Sequence, residues 1–108
     1  MHWIFAHLIG DFLIQTDWMA QGKKKSSWIC LVHVATYMIP FLFTSLNGWQ
    51  LLLVALQHFL QDRTNFVEWY MANSGRKAFA SPPYTPWSAI LVDGIFHICS
   101  IALIERFI

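Results

Sequence analysis

Three pairs of side chains carry the residue types and the spacing of a metal site: His7 with Asp11, His58 with Asp62, and Asp93 with His97. Each pair is four positions apart, which on a helix puts both side chains on one face. His33 and Tyr37 form a fourth polar pair of the same spacing. Imidazole nitrogen and carboxylate oxygen together suit a divalent metal, zinc first, with iron or manganese as alternatives. The candidate ligands are His7, Asp11, His33, His58, Asp62, Asp93 and His97. They exceed what one tetrahedral ion needs, so they suit two ions, or one ion oriented by outer carboxylates. Two other uses stay open. The pairs could be hydrogen bonds that pin helices together, or a proton relay, since histidine titrates near neutrality.

The elements that must position these residues read as helices in a membrane. Of the 108 residues 56% are hydrophobic and 12% charged, against about 25% charged in ordinary soluble domains. Mean hydropathy is +0.46. Trp28 to Leu46 contains no Asp, Glu, Lys or Arg, close to the ~20 apolar residues that cross a bilayer core. Helical segments are expected at about 3–20, 28–45, 49–72 and 87–107. Basic Gly22–Ser27, the Asn47-Gly48 turn and the proline-rich Asn73–Pro86 connect them. Pro40 should kink the second segment. Arg63, Asn65 and Glu68 make the third mixed, so it is either spanning or partly interfacial.

Lys23, Lys24, Lys25, Arg76 and Lys77 fall on the first and third connections, and the second carries no charge. The positive-inside rule then gives the orientation. The expected fold is all-α: a transmembrane four-helix bundle, up-and-down, with both termini on the non-cytoplasmic side. It forms a single domain over residues 1–108, multi-pass in the bacterial inner membrane. Tryptophans near both ends of the segments fit an aromatic belt.

Ionisable residues inside such segments normally face the bundle interior. Helix 4 reverses both direction and letter order, so all three aspartates lie at one depth, with the histidines about 6 Å deeper at 1.5 Å per residue. Gly10 and Gly94 would let helices 1 and 4 approach closely. Gln15 and Thr16 line an entrance or cap helix 1. The basic residues set topology first, and attract anionic headgroups second. Arg63 faces the cluster or a headgroup. Cys30 and Cys99 read as packing residues. Net charge of +1 argues against nucleic acid as a partner. The N-terminus lacks a basic region and Asp11 interrupts its apolar run, so it reads as a first helix and not as a signal peptide.

The stretch His7-Leu8-Ile9-Gly10-Asp11-Phe12-Leu13-Ile14-Gln15-Thr16-Asp17-Trp18-Met19 resembles the opening signature of a family of small bacterial and phage integral membrane proteins of unknown function. His33, the run His58-Phe59-Leu60-Gln61-Asp62-Arg63 and Asp93-Gly94-Ile95-Phe96-His97 are similar to its later motifs. The resemblance covers nearly the whole chain and implies a fold more than an activity. That pattern has a polar, amide-bearing residue after its last aspartate, where Gly94 stands here. More distantly, the His/Asp pattern is similar to that of membrane-bound metal-dependent hydrolases. This implies hydrolysis of an amphiphilic substrate reached from the cytoplasmic leaflet, with Asp11, Asp62 and Asp93 as ligands or general bases. Two other functions fit the same residues. One is a non-enzymatic phage or bacterial accessory subunit that oligomerises or docks on a membrane complex. The other is proton or ion passage through a homo-oligomer. Membrane lipid is the partner expected in every case.

Overall fold

The computed structural model describes the whole of Met1–Ile108, and its regular elements are all helical. α1 covers Trp3–Leu8 and runs into a π-helical turn, Ile9–Leu13. α2 follows at Asp17–Gly22 and α3 at Ser27–Met38. A 3-10 turn, Pro40–Phe43, precedes α4 at Gly48–Arg63. α5 is Phe66–Asn73, and α6, Trp87–Phe107, closes the chain.

This corrects the expected transmembrane bundle of four spanning helices. Only α6 is long and apolar enough to cross a membrane. The other three expected segments are each interrupted, for local reasons. Thr16 takes an extended backbone, and its hydroxyl accepts a hydrogen bond from the Met19 amide at 3.4 Å. That caps α2 and separates it from α1. Pro40 does not kink a continuing helix: α3 ends at Met38, because proline has no N–H for the ladder and clashes one turn back. Thr64, again extended, ends α4 before α5 begins. With three of the four spans gone, the up-and-down crossing, the placement of both termini on one side of a bilayer and the multi-pass localisation lose their basis. The fourth segment is found as expected, at Trp87–Phe107.

Other local signals act as read. Asn47 and Gln50 form a reciprocal capping box, each side chain taking the other's backbone N–H at 2.9 Å. Ser26 caps α3 through the Ile29 amide.

Two apolar clusters bracket the polar residues. The larger joins Trp3 and Ala6 of α1, Tyr37 of α3, Phe41, Leu46, Val54 of α4, and Ile101 and Ile104 of α6. The smaller joins Val67 and Met71 of α5 to Val92 of α6. The starts of α1 and α4 thus meet the ends of α3 and α6, so the two pairs run antiparallel. His7, His33, His58 and the Asp93–His97 stretch all fall between the clusters. The exterior is apolar: 26 of 108 residues are buried, while Leu13, Leu42, Phe43 and Phe107 are among many large side chains left exposed.

The glycines divide differently from expectation. A Cβ on Gly10 would lie 2.5 Å from the Tyr37 ring and 2.9 Å from the Tyr37 carbonyl oxygen. The close approach is therefore between the π-helical turn and α3, not between the first and last helices. A Cβ on Gly94 would meet only the Phe12 ring, at 4.0 Å. Gly10→Ala should therefore destabilise by about 1–3 kcal/mol, the usual scale of overpacking. Gly94→Ala should be neutral or mildly stabilising, within about 1 kcal/mol, because alanine favours helix. Thermal unfolding followed by circular dichroism checks the contrast; equal effects at the two sites would contradict it.

Candidate metal centre

The π-helical turn sets the geometry of Asp11. Its Ile14 amide bonds the Ile9 carbonyl at 3.0 Å, a five-residue step that inserts one extra residue into the turn. On a regular helix Asp11 would stand over His7. Here the rotation carries its carboxylate toward α3 and α4, and the His7 Nδ1 to Asp11 Oδ2 distance is 3.9 Å. Asp11 Oδ1 instead lies 3.3 Å from His33 Nε2 and 3.5 Å from His58 Nε2.

His33, His58 and Asp62 complete that group. His33 Nε2 and His58 Nε2 are 3.0 Å apart. Asp62 Oδ2 is 3.1 Å from His33 Nε2 and 2.9 Å from His58 Nε2. Five of the six spacings among these four atoms thus run from 2.9 to 3.5 Å. A tetrahedral ion with bonds of about 2.0–2.2 Å spaces its ligand atoms about 3.3–3.6 Å apart. Protons satisfy the group poorly. Each Nε2 carries at most one hydrogen, so two hydrogens at most serve five close contacts. One cation serves all four atoms together. All four residues are buried, and Asp11 Oδ1 has no hydrogen-bond partner. A buried Asp/His/His/Asp group able to hold a metal ion is therefore built into the chain.

A second group adjoins the first. Asp11 also clusters with Asp93 and His97. His97 Nε2 lies 3.0 Å from Asp62 Oδ1 and 3.5 Å from Asp93 Oδ2. Asp62 therefore turns one oxygen to His33 and His58 and the other to His97. The rings of Tyr37, His58 and His97 stack as a column, with centroids 3.7 and 3.9 Å apart. Stacking holds the His58 plane, because the Nδ1 atoms of His33 and His58 are buried without a partner.

One side-chain cation is inserted into the centre. Lys23 Nζ reaches Asp62 Oδ2 at 3.1 Å, with its side chain 12% exposed and that of Asp62 0%. Burial works against the Asp62 carboxylate, but His58, His33 and His97 outweigh it and hold its pKa well below the usual range. Burial works against the Asp11 carboxylate too, but the nearby His33 and His58 rings hold its pKa low. Burial lowers the pKa of His7 to about 4, so this ring is neutral. Lys24 donates to the Asp62 and Thr64 carbonyls, and Arg63 to the Lys24 carbonyl and Ser27 hydroxyl. These bonds fix the loop that carries Lys23.

A cavity of about 420 Å³ opens onto Asp11 and Asp93. Lys23 and Gln15 line its polar side; Phe12, Val67 and Ile90 line its apolar side.

A family model described as a protein of unknown function (DUF3307) matches residues 1–108. The chain belongs to that family. No curated protein and no solved structure matches it. DUF3307 membership brings no activity with it, and the comparisons carry neither a phage origin nor a likeness to membrane hydrolases.

Within this DUF3307 chain, six of the seven expected ligands fall into the two groups. His7 does not: its Nδ1 pairs with the Tyr37 hydroxyl at 2.8 Å, and its Nε2 is buried unpartnered. Tyr37 thus serves His7 and not His33, its partner by spacing. Gln15 and Thr16 both line the cavity, and Thr16 caps α2 rather than α1. Cys30 is buried and Cys99 exposed, and neither forms a disulfide.

Three residues of the centre went unrecognised in the sequence. Lys23 lies in a basic run whose sequence signal is topology. Gln57 and Gln61 repeat the four-residue spacing one position before His58 and Asp62, but as amides they carry no ligand signal. Gln57 Nε2 donates to Gln61 Oε1 at 2.8 Å, and Gln61 Nε2 donates to Asp93 Oδ1 at 2.9 Å.

Lys23→Met should strongly destabilise chelator-treated protein, on the scale of about 3–5 kcal/mol for leaving a buried charge unpaired. Zinc should recover most of that loss, because a cation on Asp62 supplies the missing charge. Melting temperatures with chelator and with zinc check this; a loss that zinc leaves untouched would contradict it.

Proposed function

We propose that this chain is a metal-dependent hydrolase of an amphiphilic ester or phosphoryl ester. The observation that carries the reading is the set of four ligand atoms spaced for one ion, beside a cavity that reaches Asp11. Asp11, His33, His58 and Asp62 would hold the ion. Zinc suits two imidazoles and two carboxylates best, and iron or manganese suits them next. A divalent ion there supplies an acidified water and polarises the substrate's oxygen. The water oxygen forms the new bond to carbon or phosphorus, the ester bond breaks, and a water proton leaves with the alcohol.

The cavity supports the substrate class. Lys23 and Lys24 stand beside Asp17 and Glu68 as polar contacts for a head group, and Phe12, Val67 and Ile90 offer an apolar wall to a chain. Asp93, with its side chain 21% exposed, is the carboxylate best placed to meet a substrate there. The exposed apolar side chains support lipid as the surface from which an amphiphile arrives.

Metal analysis of purified protein, paired with release of p-nitrophenol from long-chain esters and phosphodiesters in mixed micelles, tests the reading. Wild type should retain stoichiometric metal and hydrolyse at least one substrate class. His33→Ala and His58→Ala should lose metal and activity together. Metal content unchanged in both variants would remove the basis of the proposal.

A further inference from the structure

We propose that the centre takes a second divalent cation, held by Asp11, Asp93 and His97 at the inner end of the cavity. The proposal rests on the metal-centre reading above and deepens it, since it assigns residues that the four-ligand group does not use.

Four observations converge on this position. The first is the donor set: Asp93 and His97 are not needed by the four-ligand group, yet both cluster with Asp11, which belongs to both groups. The second is that Asp62 already divides its oxygens. Oδ2 faces His33 and His58, and Oδ1 lies 3.0 Å from His97 Nε2. Two carboxylates thus stand between the two groups, the arrangement in which neighbouring cations share ligands. Third, Asp11 is a buried carboxylate, its side chain 5% exposed, and its Oδ2, which the four-ligand group does not use, stands 3.9 Å from the His7 ring.

The fourth observation is the support behind the ligands. His97 Nδ1 is 3.3 Å from Gln57 Oε1. With a cation bound, a proton on Nδ1 donated to that oxygen would leave the Nε2 lone pair free for the ion, which is the tautomer a ligand requires. Gln61 Nε2 binds both the Asp93 carbonyl and Asp93 Oδ1 at 2.9 Å, which fixes the carboxylate with Oδ2 toward His97. Gln57 and Gln61 bond each other. Metal-ligating histidines and carboxylates are characteristically oriented by outer partners of this kind. His33 and His58 have none at Nδ1, so this outer network belongs to the second position alone.

The chemistry separates the two positions. The four-ligand group offers two nitrogens and two oxygens, and an ion there would take up water only by expanding to five-coordination. The second group has one nitrogen among carboxylate oxygens, and it faces a cavity. Oxygen-rich sites favour harder cations such as manganese(II) or magnesium. A position with three protein ligands leaves coordination open to water and to an oxygen of the substrate.

Titration of metal-stripped protein with Zn²⁺ and then Mn²⁺, followed by calorimetry and by metal analysis after gel filtration, tests the proposal. Wild type should bind two cations per chain. Asp93→Asn preserves shape and the Gln61 bond, and should bind one. Gln57→Leu touches no ligand atom, and should weaken only the second cation, by about 10–100-fold. Electron spin resonance of Mn²⁺-loaded protein should show a coupled pair in wild type and isolated ions in Asp93→Asn. One cation per chain in wild type, or two in Asp93→Asn, overturns this inference and leaves the four-ligand reading standing. No bound cation at all overturns both.

Discussion

Asp62 has no solvent exposure, yet it is ionised, and every element around it contributes to keeping it so. Three imidazoles and one ammonium lie within about hydrogen-bonding reach of its two oxygens. They come from α3, α4, α6 and the loop after α2. An uncompensated carboxylate in such a place is costly enough that removing one partner of a buried pair typically costs about 3–5 kcal/mol. Burial of this one group therefore constrains where four segments of the chain can lie. The two apolar clusters do not meet across the middle of the molecule. The polar centre joins them, so it acts as part of the core.

The irregular backbone is what makes this centre possible. The π-helical turn keeps Asp11 Oδ2 3.9 Å from His7 and places Oδ1 on His33 and His58. Gly10 within the same turn allows contact with Tyr37 that no side chain would permit. The break at Thr16 then sends α2 aside, which brings Lys23 back over Asp62. The break at Thr64 acts similarly: it folds α5 against α6 and gives the cavity its apolar wall. Each interruption costs helix length and yields a placed residue.

Much of the centre was legible in the sequence because pair spacing on a helix is a local property. His58 with Asp62 and Asp93 with His97 need only one turn of regular helix, and α4 and α6 supply it. His7 with Asp11 has the same spacing, but its turn is π-helical, which spacing cannot reveal. The expected spans failed for a related reason. An uncharged run such as Trp28–Leu46 measures solvation preference, whereas helix length depends on single residues. Pro40 ends its helix where a kink is the sequence expectation. Thr16 and Thr64 carry no strong breaking propensity, and their extended backbones follow from caps and tertiary contacts. Lys23 could not be placed because its role depends on α4, thirty-nine positions further on. Gln57 and Gln61 were readable in principle, since their spacing matches that of the neighbouring His/Asp pair. They were hidden by being amides, whose value appears only once Asp93 and His97 are known to lie beside them.

The distribution of polarity explains why the centre and the surface should be considered together. In water, a chain of this length would place its charges outside and hide its aromatic residues. Here His7, His33, His58, His97 and Asp62 are among the least exposed residues, while Trp18, Trp28, Trp49, Trp69 and Trp87 are exposed. An apolar exterior gains little from burial inside the fold, so apolar burial alone contributes less to cohesion than in a typical domain. The contacts at the centre must supply more of it. A cation bound by four or more of these side chains would add its binding free energy directly to folding, because no such ligand set exists in the unfolded chain. The same ion that equips the site for chemistry would then also hold α1, α3 and α4 together, and α6 as well where Asp93 and His97 take part. That coupling is consistent with the form of the centre: the four-ligand group lies deepest and links the helices, and the more open group lies beside it, facing the cavity where substrate and solvent arrive.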